Sequence, residues 1–220
     1  MSFRLLVRTA ARMSVITALF ACAHVSKTRP TPKGVVDLEI GAGGPIVALP
    51  GIATIPLPLT SAGASYGVLD NLDVSAHLQL TSLALFGVLG VDVGTSWMPL
   101  TQLGFRPAAT LTGRLYGFTD FKSGFRPYLE LEGNLNWRYA KGWLGTYGTI
   151  NGAFQLFALP VLMVGVGQEL FLGRVGLTLE ARWYQPSANS YFTAVNYAAV
   201  GQWGAIGVLL GVRVRFGDKQ

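Results

Sequence analysis

Residues 125–139 read Phe-Arg-Pro-Tyr-Leu-Glu-Leu-Glu-Gly-Asn-Leu-Asn-Trp-Arg-Tyr, and polarity changes at nearly every step. Phe125, Leu129, Leu131, Leu135, Trp137 and Tyr139 fall on one parity, and Arg126, Tyr128, Glu130, Glu132, Asn134, Asn136 and Arg138 on the other. Successive side chains of a strand point to opposite faces, so the segment predicts a strand with one oily and one polar face. Residues 72–81 repeat the pattern, with Leu72, Val74, Ala76, Leu78 and Leu80 against Asp73, Ser75, His77, Gln79 and Thr81. So do residues 174–184, and the stretch from Ile206 to Phe216 sets its apolar positions against Gly207, Gly211, Arg213 and Arg215. A helix would spread these charges around its circumference.

Two uncharged stretches, Gly142–Gln168 and Trp183–Val212, are long enough to suggest membrane helices. Gly142, Gly145, Gly148 and Gly152 in the first, and Gln185-Pro-Ser-Ala-Asn-Ser190 in the second, argue against helices and for strands and turns. The pattern predicts about ten strands, near 35–43, 54–68, 72–82, 84–97, 107–118, 125–139, 145–157, 160–172, 174–184 and 203–216; eight or twelve remain open. The expected fold is all-β: a closed, antiparallel, up-and-down transmembrane β-barrel formed by residues 34–220.

Alternation alone does not say which face is outside. Past residue 33, lysine occurs only as Lys122, Lys141 and Lys219, in turns and tail, whereas a water-facing sheet normally carries it. The strand charges are instead balanced Asp, Glu and Arg, as a narrow lumen shielded from water requires. The expected lumen network is Asp37, Glu39, Asp73, His77, Asp92, Arg114, Glu130, Glu132, Arg138, Glu169, Arg174, Glu180, Arg182, Arg213 and Arg215. Trp97, Phe125, Trp137, Tyr139 and Trp183 stand near strand ends on the oily face, where an aromatic girdle meets the membrane boundary.

Composition agrees: 50% of the residues are hydrophobic and 13% charged. The net charge of +6 belongs to Arg4, Arg8, Arg12, Lys27, Arg29 and Lys33, since residues 34–220 hold 11 bases and 11 acids. A neutral folded part offers no phosphate-binding surface, which excludes nucleic acid as a partner. Residues 1–23 read as an export signal, with three arginines before an apolar core too short to span a bilayer. Cleavage after Ala23 and a lipoprotein-type cleavage that would lipidate Cys22 are both open. Residues 24–33, with Pro30 and Pro32, read as an extended leader to the barrel.

The arginine-rich start, the strand-turn-strand Tyr66-Gly-Val-Leu-Asp-Asn-Leu-Asp-Val74 and the ending Gly211-Val-Arg-Val-Arg-Phe216 resemble the small outer-membrane β-barrel proteins of Gram-negative bacteria. The resemblance implies an outer-membrane location, lipid around the barrel, and a barrel-assembly machinery that reads a terminal aromatic residue. Phe216 fits that role, although Gly217–Gln220 extends past it.

Catalytic sets are thin. His77 shares its face with Asp73 and Ser75, but neighbours two apart on a strand sit about 7 Å from each other, and the polar face looks away from lipid. Asp73, His77 and Asp92 offer metal-donor atoms without a tight ligand spacing. Glu130 and Glu132 lie at a separation used by glycosidases, yet their place among leucines on a strand favours pairing with arginines. The sequence therefore predicts no catalytic, cofactor or metal site. It predicts a structural or surface-interacting barrel with a filled lumen; a narrow solute pore and a lipid-modifying hydrolase using His77 are the alternatives. Residues 44–54 and 185–202 are expected as longer loops that meet an extracellular ligand.

Overall fold

The computed structural model describes residues 24–49, 53–122, 124–155, 160–190 and 196–217. The strands are β1 (Val36–Leu49), β2 (Ala53–Pro56), β3 (Leu59–Leu69), β4 (Leu72–Gln79), β5 (Leu89–Leu100), β6 (Ala108–Thr119), β7 (Phe125–Tyr139), β8 (Leu144–Phe154), β9 (Val161–Leu172), β10 (Val175–Asn189), β11 (Asn196–Tyr197) and β12 (Trp203–Phe216). Sequence neighbours pair antiparallel from β3 through β10, and β10 pairs with β12. β1 then pairs with β12 over Val36–Pro45 and with β3 over Val36–Gly43, which closes the sheet. With β2 and β11 pairing only with the far end of β1, ten strands form the wall of a closed antiparallel barrel. Closure leaves no free sheet edge, so backbone groups find partners without water.

Side chains sort as the alternation predicts. On β7, Glu130 and Glu132 are each 3% exposed, whereas Leu131 and Leu135 are 51% and 50% exposed. Val74, Leu78, Val93, Leu111, Leu115, Ile150, Val166, Leu179 and Leu210 likewise face outward. The oily face is the outer face, the inverse of a water-soluble barrel. Among the described residues, no helix is long and apolar enough to cross a membrane, and the two uncharged stretches contain β8, β9, β10 and β12 instead.

Several expected boundaries need correction. The strand expected at 54–68 is two, because Pro56 and Pro58 lack the N–H groups that would continue the ladder. Residues 80–86, expected as strand ends, form helix α1 (Leu80–Phe86). Its end is set by Gly87, whose φ of 62° permits the left-handed cap that returns N–H groups to Leu83 and Ser82. A short apolar run reads equally as strand or buried helix, so periodicity does not find it. The expected loops are also partly ordered sheet. β1 runs on to Leu49 and pairs with β2, and β10 runs on to Asn189 while β11 pairs with Val47 and Ala48.

Val36 and Phe216 mark the lower end of the barrel, where the turns Asp70-Asn71 and Gly173-Arg174 are two residues long. α1, β2 and β11 lie at the upper end. The interior is layered along this axis. Val47, Leu59, Met163, Tyr184 and Leu209 fill the upper lumen, beside a cluster of Tyr116, Phe118 and Tyr128, and most of the charged residues lie below. The expected filling of the lumen by ion pairs and side chains thus includes an apolar layer that the expected network did not name.

The outward face predicts one outcome. Leu131→Arg, at the middle of β7, should cost about 2–4 kcal/mol of stability, the usual penalty for arginine at the bilayer midplane. Denaturant unfolding in lipid vesicles measures this, with Phe121→Arg, in a loop, as the neutral comparison.

Candidate functional site

Residues 24–33, expected as a leader outside the barrel domain, run along the inside of the lumen. Entry is at the lower end, where the Gly34 N–H donates to the Gly67 carbonyl at 2.8 Å and the Gly67 N–H donates to the Val35 carbonyl at 3.0 Å. Here the backbones touch so closely that a Cβ on Gly67 would collide with the Pro32 carbonyl. The Thr31 N–H donates to Asp73 Oδ2 at 2.6 Å, and the Arg29 guanidinium reaches Asn136 at 2.9 Å and Gln102 at 2.6 Å. The Thr28 hydroxyl donates to Glu169 at 2.6 Å, while its carbonyl accepts from Thr110 and Asn136. Higher up, the Ser26 N–H donates to Glu180, the Val25 side chain fills the space left by Gly211, and His24 meets Asp92 on β5. The segment thus bonds to β1, β3, β4, β5, β6, β7, β9 and β10.

Lys27 is the electrostatic anchor. Its ammonium lies 2.7 Å from Asp73 and 3.0 Å from Glu39, with 5% of the side chain exposed. The wall supplies the other ion pairs. Arg215 grips Asp37 through two bonds of 2.9 Å, a fork that fits a carboxylate. Arg182 lies 2.7 Å from Glu180 and also donates to the His24 carbonyl. Arg114 lies between Glu130 and Glu132 at 3.4 and 3.3 Å, where Tyr116 also donates to Glu130 and Asn151 to both carboxylates. Arg213 stands 3.7 Å from both Glu39 and Glu169.

Of the residues expected in the lumen, Arg138 lies over the Phe171 ring at 4.2 Å. Arg174 is the exception: it occupies the exposed turn before β10, because the strand begins one residue later, at Val175. Trp97, Trp137 and Tyr139 stand at the lower end, and Phe125 and Trp183 at the upper, with indole N–H groups of Trp137 and Trp183 donating to the Phe105 and Trp203 carbonyls. Phe216 ends β12 on the outer face opposite Val36. Cys22 and the expected signal segment 1–23 lie outside the described residues.

The sequence reading missed His24. Its Nε2 lies 2.8 Å from Asp92 Oδ2 and its Nδ1 3.4 Å from Ser61 Oγ. His77 Nδ1 lies 3.0 Å from Asp92 Oδ1, and its Nε2 3.2 Å from Glu39 Oε2. The two rings meet edge to face, with centroids 4.3 Å apart. Asp73, grouped with His77 and Asp92 by its face, is engaged with Lys27 and Thr31 instead. A cavity of about 40 Å³ adjoins the pair, lined in part by Glu39, Ser61 and Arg213, large enough for a water molecule or an ion.

An oily exterior, a charged interior and a closed wall leave one environment for this fold. The protein is an outer-membrane β-barrel. No family model matches the chain, and no curated protein matches it in sequence. Among solved structures it is similar to the translocator domain of the autotransporter NalP from Neisseria meningitidis, with a TM-score of 0.47 and 10% identity over 95% of this chain and 98% of that one. It is also similar to an outer membrane channel from Pseudomonas putida, with a TM-score of 0.42 and 10% identity over 88% of this chain and 100% of that one. Ail, the attachment invasion locus protein of Yersinia pestis, gives a TM-score of 0.28 and 9% identity over 84% of this chain and 99% of that one.

The anchor has a measurable consequence. Removing one partner of a buried ion pair costs about 3–5 kcal/mol. Lys27→Met should therefore loosen residues 24–33 from the wall and speed exchange of their amide hydrogens by at least ~100-fold. Exchange in the wall strands should change far less; mass spectrometry of the exchanged protein reads both.

Proposed function

We propose that this protein is a closed, non-catalytic barrel whose working surface is its upper rim, presented outside the cell. The observation that carries the reading is the lumen segment 24–33, held on several sides by wall strands, beneath an upper layer of Met163, Tyr184, Leu209 and the Tyr116–Phe118–Tyr128 cluster. A side-chain-packed lumen of this kind leaves little room for a continuous water path. Orientation follows from turn length: short turns belong on the periplasmic side and longer connections outside. That puts α1 and the β1–β2–β11 extension at the cell surface, around the segments 44–54 and 185–202. Ile55, Leu85, Phe86, Phe121 and Trp203 are exposed there, an apolar rim suited to a surface ligand or partner. Phe216, the aromatic residue that ends β12, supports recognition by the barrel-assembly machinery. Ser61, which contacts His24, and Ser75, on the same strand face as His77, are buried in the lumen, which favours a structural role over attack on membrane lipid.

Planar-bilayer recording of the purified protein tests this directly. The expected trace is a flat baseline at moderate voltage. Clear, steady unit openings would replace the closed-barrel reading with the narrow-pore one.

A further inference from the structure

We propose that the lumen carries a binding site for a first-row divalent cation, zinc in the first instance, formed by His24 Nε2, His77 Nδ1 and Asp92. The ion would tie segment 24–33 to the wall strands β4 and β5.

Charge accounting points to this place. The lumen carboxylates Asp37, Glu39, Asp73, Glu130, Glu132, Glu169 and Glu180 each lie against a lysine or arginine. Asp92, with its side chain fully buried, hydrogen-bonds to His24, His77 and Gln79, while Arg114 acts on it only from beyond ion-pair distance. A buried carboxylate needs a compensating positive charge. A divalent ion supplies it at the centre of the cluster.

The geometry fits the same ion. One donor atom from each of the three residues lies within 4.8 Å of the other two. Ligands about 2.0–2.1 Å from a tetrahedral zinc lie roughly 3.3 Å apart, so the cluster needs only small side-chain adjustments. Both imidazoles are also held from behind as metal-bound histidines are, the far nitrogen bonded to another group. For His77 that group is Glu39, at 3.2 Å, and for His24 it is the Ser61 hydroxyl, at 3.4 Å.

Gln79 adds an independent sign. Its amide nitrogen lies 2.9 Å from His24 Nε2 and 3.0 Å from Asp92 Oδ2, while its amide oxygen is buried with no hydrogen-bond partner. A half-turn of the amide would bring that oxygen toward the centre of the cluster as a fourth donor. Two imidazole nitrogens with carboxylate and amide oxygens suit zinc, nickel or copper better than calcium or magnesium, which prefer all-oxygen shells.

The test uses the protein extracted from the outer membrane, stripped with a chelator and titrated with zinc chloride by calorimetry. The proposal expects one zinc per chain. Affinity should fall at least ~100-fold in His24→Ala and in Asp92→Asn, and about 10–100-fold in Glu39→Gln, which removes the carboxylate behind His77 together with one of the two carboxylates that hold Lys27. Zinc should also raise the temperature at which the unboiled protein loses its compact band on SDS electrophoresis, and His24→Ala should abolish that rise. His24 lies off the wall, so a compact unboiled band for this variant certifies a folded barrel. Absence of a stoichiometric site in the wild type, or unchanged zinc affinity in folded His24→Ala and Asp92→Asn, would overturn the proposal.

Discussion

A narrow lumen cannot hold unbalanced charge, and this constraint organises the molecule. The wall points eight carboxylates inward: Asp37, Glu39, Asp73, Asp92, Glu130, Glu132, Glu169 and Glu180. Against them it sets five guanidinium groups, on Arg114, Arg138, Arg182, Arg213 and Arg215. Lys27 and Arg29 arrive on segment 24–33 and reduce the deficit. Each buried charge is costly to desolvate, so the segment and the wall complete one another rather than meeting as separate parts. Lys27 stands between Asp73 and Glu39 and pairs with both.

The wall itself depends on the double role of β1. Its lower two-thirds bonds to β3 on one side and β12 on the other, which turns an open sheet into a cylinder. Its upper part exchanges those neighbours for β2 and β11 and carries the sheet beyond the barrel mouth. The change falls beyond Gly43, whose φ of 129° and close approach to the Val208 carbonyl leave no room for a Cβ. One strand thus joins the membrane-embedded cylinder to the extension above it.

Legibility in the sequence followed chemical contrast. β4, β7 and β12 place charged or amide residues opposite leucine and valine, so both strand and face could be read. Where inward residues are themselves apolar, as with Val161, Met163 and Leu209, alternation fades and the upper lumen stayed hidden. Segment 24–33 was harder still. Beside an export-type sequence, two prolines and scattered polar residues look like a tether, and no periodicity marks a chain without regular structure. One signal was available: the expected network held eight acids against six arginines. Arg174 then fell outside the lumen, which widened the gap that Lys27 and Arg29 help to fill. His24, passed over with that segment, is the residue that turns the His77–Asp92 pair into a three-donor cluster.

The passage at Gly67 bears on how the molecule is put together. Gly34 turns there directly from the lumen segment into β1, so the two form one continuous lead. β1 and β12 meet at a junction where Asp37 and Arg215 are 178 positions apart in the chain, the last kind of contact a growing sheet makes. A cylinder already packed with side chains leaves no clear bore for sliding a charged strand in afterward. Closing this sheet therefore also encloses the segment, whose continuation is the first strand of the wall. What looks like a plug is thus the near end of the wall's own first strand, joined to it at Gly34 and not a separable part.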